Sequence, residues 1–285
     1  KMKILCTICM REGSKGVQNK NLKIINKKPL MFYTIDQAKK SKIFENIVIS
    51  TDSKKIRKKA LKLGADCWFL RPKNMARDNS KKVPVIKHAF KKAEEHFNKK
   101  FDIIVDLDAT SPLRMVSDIV NAYKYFRRTK SKTLITGCKS RKNPYFNMVE
   151  IVNKKLKRVR KLKKNIYRRQ DAPITYDCNA SIYIWTRKSL LNFKTFYDGN
   201  TSFYEMPENR SWDIDTKFDF EIVQYLLSRS KKWFLIIKKI MNSNLNQFNL
   251  QGKKAIIVGG SGLIGNEITN VIAAKGAKVF VLDIK

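Results

Sequence analysis

Cations, glycines and amides meet in the segment Arg11-Glu12-Gly13-Ser14-Lys15-Gly16-Val17-Gln18-Asn19-Lys20-Asn21, just after the apolar run Ile4 to Cys9. Glycine lets a backbone approach a ligand closely, and Arg11, Lys15 and Lys20 can neutralise phosphate oxygens. The segment therefore predicts a polyphosphate site at the carboxyl end of a strand. It is not a Walker loop, because no GxxxxGK[ST] is present. A basic turn in a lysine-rich chain is the competing reading. A second candidate runs from Asp106-Leu107-Asp108 through Ala109-Thr110-Ser111-Pro112 to Leu113-Arg114, again between a strand-like run and a helical one. Strand residues two apart share a face, so Asp106 and Asp108 can meet one cation or a sugar hydroxyl together. A helix-capping turn around Ser111-Pro112 is the plainer alternative. The third candidate is Trp212-Asp213-Ile214-Asp215-Thr216. In extended backbone its two carboxylates point the same way and suit an oxygen-loving Mg2+ shared with phosphate. Asp215 could instead cap a helix starting near Lys217.

The elements that must position these groups read as an α/β sheet with crossover helices, largely parallel, because short apolar runs alternate with helical patterns. Expected strands are Ile4 to Cys9, Asn46 to Ser50, Cys67 to Leu70, Phe101 to Leu107, Thr133 to Cys138 and Ser181 to Trp185. Expected helices are Leu30 to Lys39, Lys54 to Leu63 with Gly64 as its C-cap, Val83 to Phe97 and Val116 to Arg128. Both the basic segment and the Asp106 segment then fall at one sheet edge. Between Pro144 and Tyr176 the pattern changes to alternation about an Asn153-Lys154-Lys155 turn, which predicts a hairpin excursion and a dimer arm. His88 and His96 are expected on the surface of the Val83 helix.

With 285 residues, 43% of them hydrophobic, and only 7 Pro and 11 Gly, the chain can bury a real core, which excludes collagen-like and wholly disordered classes. Its apolar runs are far shorter than the ~18 to 20 residues that cross a bilayer, so no membrane span is expected. The N-terminal run breaks at Arg11 with no small-residue cleavage site and reads as a buried strand rather than a signal peptide. The net charge of +37 attracts polyanions. Lysine is nevertheless spread over almost every segment instead of one face, so compositional drift is favoured over a nucleic-acid site, and the dense run Lys154 to Lys164 reads as a solvated hairpin. An odd number of cysteines, 5, argues for reduced thiols and a cytoplasmic protein. Cys6 and Cys9 form a CxxC inside a strand-like run with no second pair for zinc, and structural burial is expected.

Jointly, several motifs resemble the acylneuraminate (nonulosonate) cytidylyltransferase family over about residues 2 to 230. They are Arg11 to Gly16 with Lys20-Asn21, Ser50-Thr51-Asp52-Ser53, Leu70-Arg71-Pro72, Thr110 to Arg114, Asn179 to Ile184 and Asp213-Ile214-Asp215. Leu5 to Cys9, Ile47 to Asp52 and Asp106-Leu107-Asp108 are most similar to its legionaminate-activating branch, since sialate enzymes usually carry glutamine at the position of Asp108. Glu12 departs from the family, which usually has glycine there. The resemblance implies a three-layer Rossmann-like nucleotide-diphospho-sugar transferase fold with a hairpin dimerisation arm. It also implies transfer of CMP from CTP to the anomeric hydroxyl of an acidic nine-carbon sugar. Carried over residue by residue, it puts Arg11, Ser14, Lys15 and Lys20 on the triphosphate. Asn21, Arg71 and Ser80 fall on cytidine, Asp108 and Arg169 on the sugar, and Gln170 and Asn179 near the substrates. Asp213 and Asp215 fall on Mg2+, and a homodimer is expected.

The C-terminal piece resembles the opening of a short-chain dehydrogenase/reductase. Gly260, Gly262 and Gly265 form GxGxxG between a strand and a helix, and Asp283 is placed for an adenosine ribose. The Tyr and Lys pair of such enzymes has no counterpart before Lys285, so NAD(P) binding is not expected of this piece. The organisation expected is a transferase domain over 1–230, an Asn-rich linker over 231–250 with the first domain ending near Arg229, and a truncated Rossmann βαβ fragment over 251–285. Two other functions compete: an NAD(P)-dependent oxidoreductase fragment fused to the transferase, or a basic nucleic-acid-binding protein.

Overall fold

A computed structural model describes residues 2–13, 16–162, 166–197, 199–228, 249–260 and 263–283. The chain divides into two compact units, Lys1–Leu227 and Ser228–Lys285. Arg229 and residues 231–248 of the expected linker lie outside the described residues, as do Ser14, Lys15 and Gly262.

In the first unit the strands are β1 Ile4–Cys9, β2 Ile24–Ile25, β3 Lys28–Pro29, β4 Asn46–Ser50, β5 Ile103–Leu107, β6 Thr133–Lys139, β7 Val149–Val152, β8 Lys155–Arg158, β9 Tyr176–Thr186 and β10 Thr201–Glu205. The helices are α1 Leu30–Ser41, α2 Lys54–Lys62, α3 Lys82–Phe97, α4 Val116–Thr129, α5 Arg187–Leu191 and α6 over 217–228. Six strands form one sheet in the order β10-β6-β9-β5-β1-β4, and every pairing in it is parallel except the two made by β9. This is the expected α/β fold with a mostly parallel sheet. Two expectations need correcting. Cys67 to Leu70 is not a strand: only an isolated bridge from Val48 to Asp66 joins the preceding residue to the sheet, and the chain then leaves to reach Arg71. The strand around Ser181 to Trp185 extends from Tyr176 to Thr186 and runs antiparallel, a direction that an apolar run does not encode.

Alternation across the strands builds three layers. Cys6, Ile8, Val105 and Leu107 face α1, α2 and α4 through Ile35, Ala60 and Ile119, whereas Leu5 and Ile104 face α3 and α5 through Ile86, Phe90 and Leu190. β1 and β5 are buried on both sides, which is why they read as unbroken apolar runs. Cys6 and Cys9 sit three apart on one strand and so point to opposite faces. They cannot chelate together, and burial pushes both thiols well above their usual range. All five cysteines are free. Ser53 caps α2 by accepting from the Ile56 N–H at 3.4 Å, and Gly64 follows the helix at φ +73°. The hairpin of β7 and β8 turns at Asn153 and Lys154, both at positive φ as a tight twist-matched turn requires. Its Val149, Ile151 and Leu156 are exposed. His96 is exposed and stacks on Trp68, but His88 is half-buried against Phe69.

The second unit contains a parallel pair, β11 Lys254–Val258 and β12 Lys278–Leu282, joined through α7 Leu263–Ala274. A Cβ on Gly265 would overlap the Gly259 carbonyl, and one on Gly260 would press on Val281 at 2.5 Å, so close helix-to-strand approach needs both glycines. Asp283 follows β12. Among the described residues no helix is long and apolar enough to cross a membrane.

Candidate active site

The chain runs from β1 to β4 on one side, then crosses to β5 on the other side of β1. Crossover loops part at such a reversal and leave a crevice at the carboxyl ends of the strands. A cavity of about 340 Å³ lies there. Its wall unites Arg11, Lys20, Asn21, Arg71, Ser80, Asp108 and Asp215 of the expected set and adds Lys82.

One corner lies over β1 and β4. Arg71 is buried, its Nε donating to Ser50 Oγ at 3.2 Å and its Nη2 to the carbonyls of Met10 at 3.2 Å and Ser50 at 2.5 Å. Asn21 donates from Nδ2 to the Arg11 carbonyl at 3.1 Å, while its Oδ1 is buried with no hydrogen-bond partner. An orphaned acceptor of this kind costs about 1–3 kcal/mol, which a ligand donor would relieve. Ser80 closes the corner, its hydroxyl donating to the Asn74 carbonyl at 3.3 Å.

The basic loop is fastened to the 213–215 segment. Lys20 Nζ donates to the Ile214 carbonyl and lies 3.5 Å from the Asp215 carboxylate. A Cβ on Gly16 would overlap the Asp215 carbonyl, so glycine is required where the two loops touch. Val17 and Ile214 are buried in one small core with Ile25, Leu30 and Val223, which pins both loops to α1 and α6. Arg11 pairs with Asp78 at 2.5 Å across the mouth, and both are solvent-accessible. Such a pair contributes only about 0–1 kcal/mol, so phosphate can displace Asp78 cheaply. The Glu12 N–H donates to Asp52 Oδ1 at 3.0 Å.

Carboxylates crowd the other side. Asp213 accepts from Ser111 Oγ at 2.6 Å and Thr110 Oγ1 at 3.3 Å. Burial, with the negative charges of Asp108 and Asp215, pushes its carboxyl up to about 6 despite those donors. The cap of α6 belongs to other residues. Asp219 Oδ2 accepts from the Thr216 N–H at 2.7 Å, and Thr216 Oγ1 accepts from the Asp219 N–H at 3.1 Å, a reciprocal capping box. Asp215 is therefore exposed beside Lys20 instead of capping the helix. Among the described residues no group of three or more His, Cys, Asp or Glu is arranged to hold a metal by itself. Asp213 and Asp215 offer oxygen donors of the type a divalent cation takes.

Asp106 and Asp108 do share a face and a cation, and the cation is Lys82 Nζ, at 3.2 and 2.7 Å. Burial opposes the ammonium, but Asp108 and Asp106 outweigh it and hold Lys82 well above the usual lysine range. Burial likewise opposes the Asp108 carboxylate, yet Lys82 and the Thr110 donors hold its carboxyl well below normal. Asp106 is fully buried, accepts from Thr7 Oγ1 at 2.8 Å and is raised by that burial despite Lys82. Sequence reasoning passed over Lys82. A signal was available, since a lysine in the first turn of a helix with no acidic residue there opposes the helix dipole and needs a partner elsewhere.

Arg114 is buried and braces the site from below. Its Nη1 donates to the Ser181 carbonyl at 2.7 Å and hydroxyl at 3.1 Å, and its Nη2 to Thr34 Oγ1 at 3.0 Å and the Asp108 carbonyl at 3.3 Å. Of the expected site residues, Asp213 is not on the cavity wall, though it bonds to Thr110, which is, and three others fall elsewhere. Asn179 is buried and spends its amide inside the fold, accepting from Thr136 at 2.7 Å and donating to Ser211 at 3.0 Å. Arg169 and Gln170 are exposed on a turn off the cavity wall, with Arg169 donating to the Ser140 carbonyl at 3.0 Å.

The mostly parallel α/β sheet thus has a switch-point crevice, where open sheets of this class bind ligands, that sets cations beside carboxylates. The family model described as cytidylyltransferase matches residues 5–254. The chain belongs to the cytidylyltransferase family and is a nucleotidyltransferase. It is 47% identical over 225 residues to a CMP-N,N'-diacetyllegionaminic acid synthase of Campylobacter jejuni, covering 79% of this chain and 95% of that one. It is 45% identical over 224 residues to post-translational flagellin modification protein B of Campylobacter coli, covering 79% and 94%. A solved CMP:2-keto-3-deoxy-manno-octonic acid synthetase complexed with CTP superposes with a TM-score of 0.59 at 15% identity, over 80% of this chain and 99% of that one, a likeness of fold.

Proposed function

We propose that the protein transfers CMP from CTP to the anomeric hydroxyl of a nonulosonic acid of the legionaminic type, releasing pyrophosphate. The observation that carries the reading is the cavity itself, which joins a corner with an orphaned acceptor at Asn21 to a basic corner where Lys20 meets Asp215. In the reaction the anomeric hydroxyl oxygen bonds to the α-phosphorus and loses its proton to solvent, the bond from that phosphorus to the bridging oxygen breaks, and pyrophosphate leaves. Positioning and charge neutralisation do most of such work. Asn21 Oδ1 accepts from the cytosine amine, with Arg71 and Ser80 closing the base corner. Arg11, released from Asp78, and Lys20 hold phosphate oxygens, and Ser14 and Lys15 belong to the same basic loop. Asp213 and Asp215 are the residues that would hold Mg2+, which when bound neutralises phosphate charge.

In this reading residues 1–230 are the transferase and 251–285 a dehydrogenase-like βαβ unit. The exposed Val149, Ile151 and Leu156 of the β7–β8 hairpin suit a homodimer arm. A monomeric mass by light scattering at micromolar concentration would reject it. Free, mostly buried cysteines suit a cytoplasmic enzyme. The decisive assay mixes the protein with CTP, Mg2+ and legionaminic, pseudaminic or sialic acid. Pyrophosphate is expected only with sugar present, and the largest kcat/KM with legionaminic acid. Silence with all three, together with salt-sensitive RNA or DNA binding, would favour a polyanion-binding protein instead.

A further inference from the structure

The cavity has a second polar corner that a nucleotide does not explain. Arg71 ties the base corner to β1 and β4, whereas Lys82 sits over β5 through Asp106 and Asp108 and over β9 through the Tyr183 ring, 4.7 Å from its ammonium. The two corners are two strand spacings apart, about 10 Å, roughly the reach of a ribose phosphate. An acceptor attacking the α-phosphorus therefore stands near Lys82. Both oxygens of Asp108 are already engaged: Oδ1 accepts from the Thr110 N–H at 2.9 Å and hydroxyl at 2.8 Å, and Oδ2 from Lys82 at 2.7 Å. Asp106 is wholly buried, but the Lys82 side chain is 32% exposed and lines the cavity. Tyr183 stacks in turn on Trp185 and Phe196, so the lysine rests on a rigid floor.

We infer that Lys82, and not Asp108, is the residue that contacts and selects the acceptor sugar, with Asp106 and Asp108 as its positioning residues. Two carboxylates more than offset the ammonium charge, so its remaining N–H addresses a neutral oxygen, an acyl carbonyl or a hydroxyl, rather than the sugar carboxylate. This assignment rests on the cytidylyl-transfer reading. Its test is steady-state kinetics in both substrates for the full chain, with CTP binding by calorimetry. Lys82→Gln is expected to raise the sugar KM on the order of 10- to 100-fold, the effect of losing one charged hydrogen bond, while the CTP Kd moves less than about threefold. Lys82→Arg should restore part of the loss. If Lys82→Gln does not fold because Asp106 and Asp108 lose their partner, the triple variant Lys82→Gln/Asp106→Asn/Asp108→Asn removes all three charges and should show the same KM shift. An unchanged sugar KM in a folded variant overturns the assignment, as does an equal loss of CTP binding. Wild-type protein that binds CTP yet turns over none of the nonulosonic acids would sink the transfer reading and this inference with it.

Discussion

Asp215→Asn is expected to lower kcat on the order of 100-fold while leaving the fold almost unchanged. The substitution keeps side-chain size and removes one charge. The cap of α6 does not depend on it, because Thr216 and Asp219 cap each other, and an exposed carboxylate away from core and caps usually changes stability by less than about 0.5 kcal/mol. The kinetic cost arises because Asp215 lies 3.5 Å from Lys20 and is one of two carboxylates that push Asp213 up. Losing a single electrostatic stabiliser beside a transferring phosphoryl group typically costs 10²–10³ in turnover. The Mg2+ concentration for half-maximal rate should rise as well. Near-full activity with unchanged Mg2+ dependence and an unchanged melting temperature would remove Asp215 from the reaction.

Arg114→Met is expected to cost about 3 kcal/mol of stability, because a buried acceptor that loses its donor costs about 1–3 kcal/mol. The guanidinium is 2% exposed and links β9 at Ser181, α1 at Thr34 and the loop after β5 at Asp108. Methionine can fill much of the volume but leaves the carbonyls of Ser181 and Asp108 short of a donor. In a unit of this size each kcal/mol moves the melting temperature by about 2–4 °C, so a fall on the order of 10 °C should appear by calorimetry. Burial pulls this guanidinium down to about 10, against the pull of nearby Asp108. A change under about 2 °C would mean that solvent replaces the arginine and that the network is not structural.

Much of the fold was legible because its signals are local. β1 and β4 match the expected runs residue for residue, and Gly64 terminates α2 at positive φ. The basic loop could be assigned to the end of a strand for the same reason. The capping box of Thr216 and Asp219 was also legible at its i, i+3 spacing, and reading it would have freed Asp215 from the capping alternative without a structure. The direction of β9 was not, since an apolar run pairs equally well either way until its neighbours are known.

By its residue order alone the chain determined an α/β sheet, a basic loop with glycines after its first strand, and two pairs of carboxylates. These depend on periods of two and about four residues and on side-chain chemistry. The tertiary structure decided which charge meets which. Thr7 reaches Asp106 across 99 residues, and Lys82 crosses 26 to reach Asp108, taking up the oxygen that the sequence had offered to a sugar. Lys20 crosses 194 residues to meet Ile214, fastening the basic loop to the segment that holds Asp213 and Asp215. No local pattern specifies such pairs, because a salt bridge or buried hydrogen bond depends on distance and desolvation in space, and both are set only when the sheet closes and excludes water.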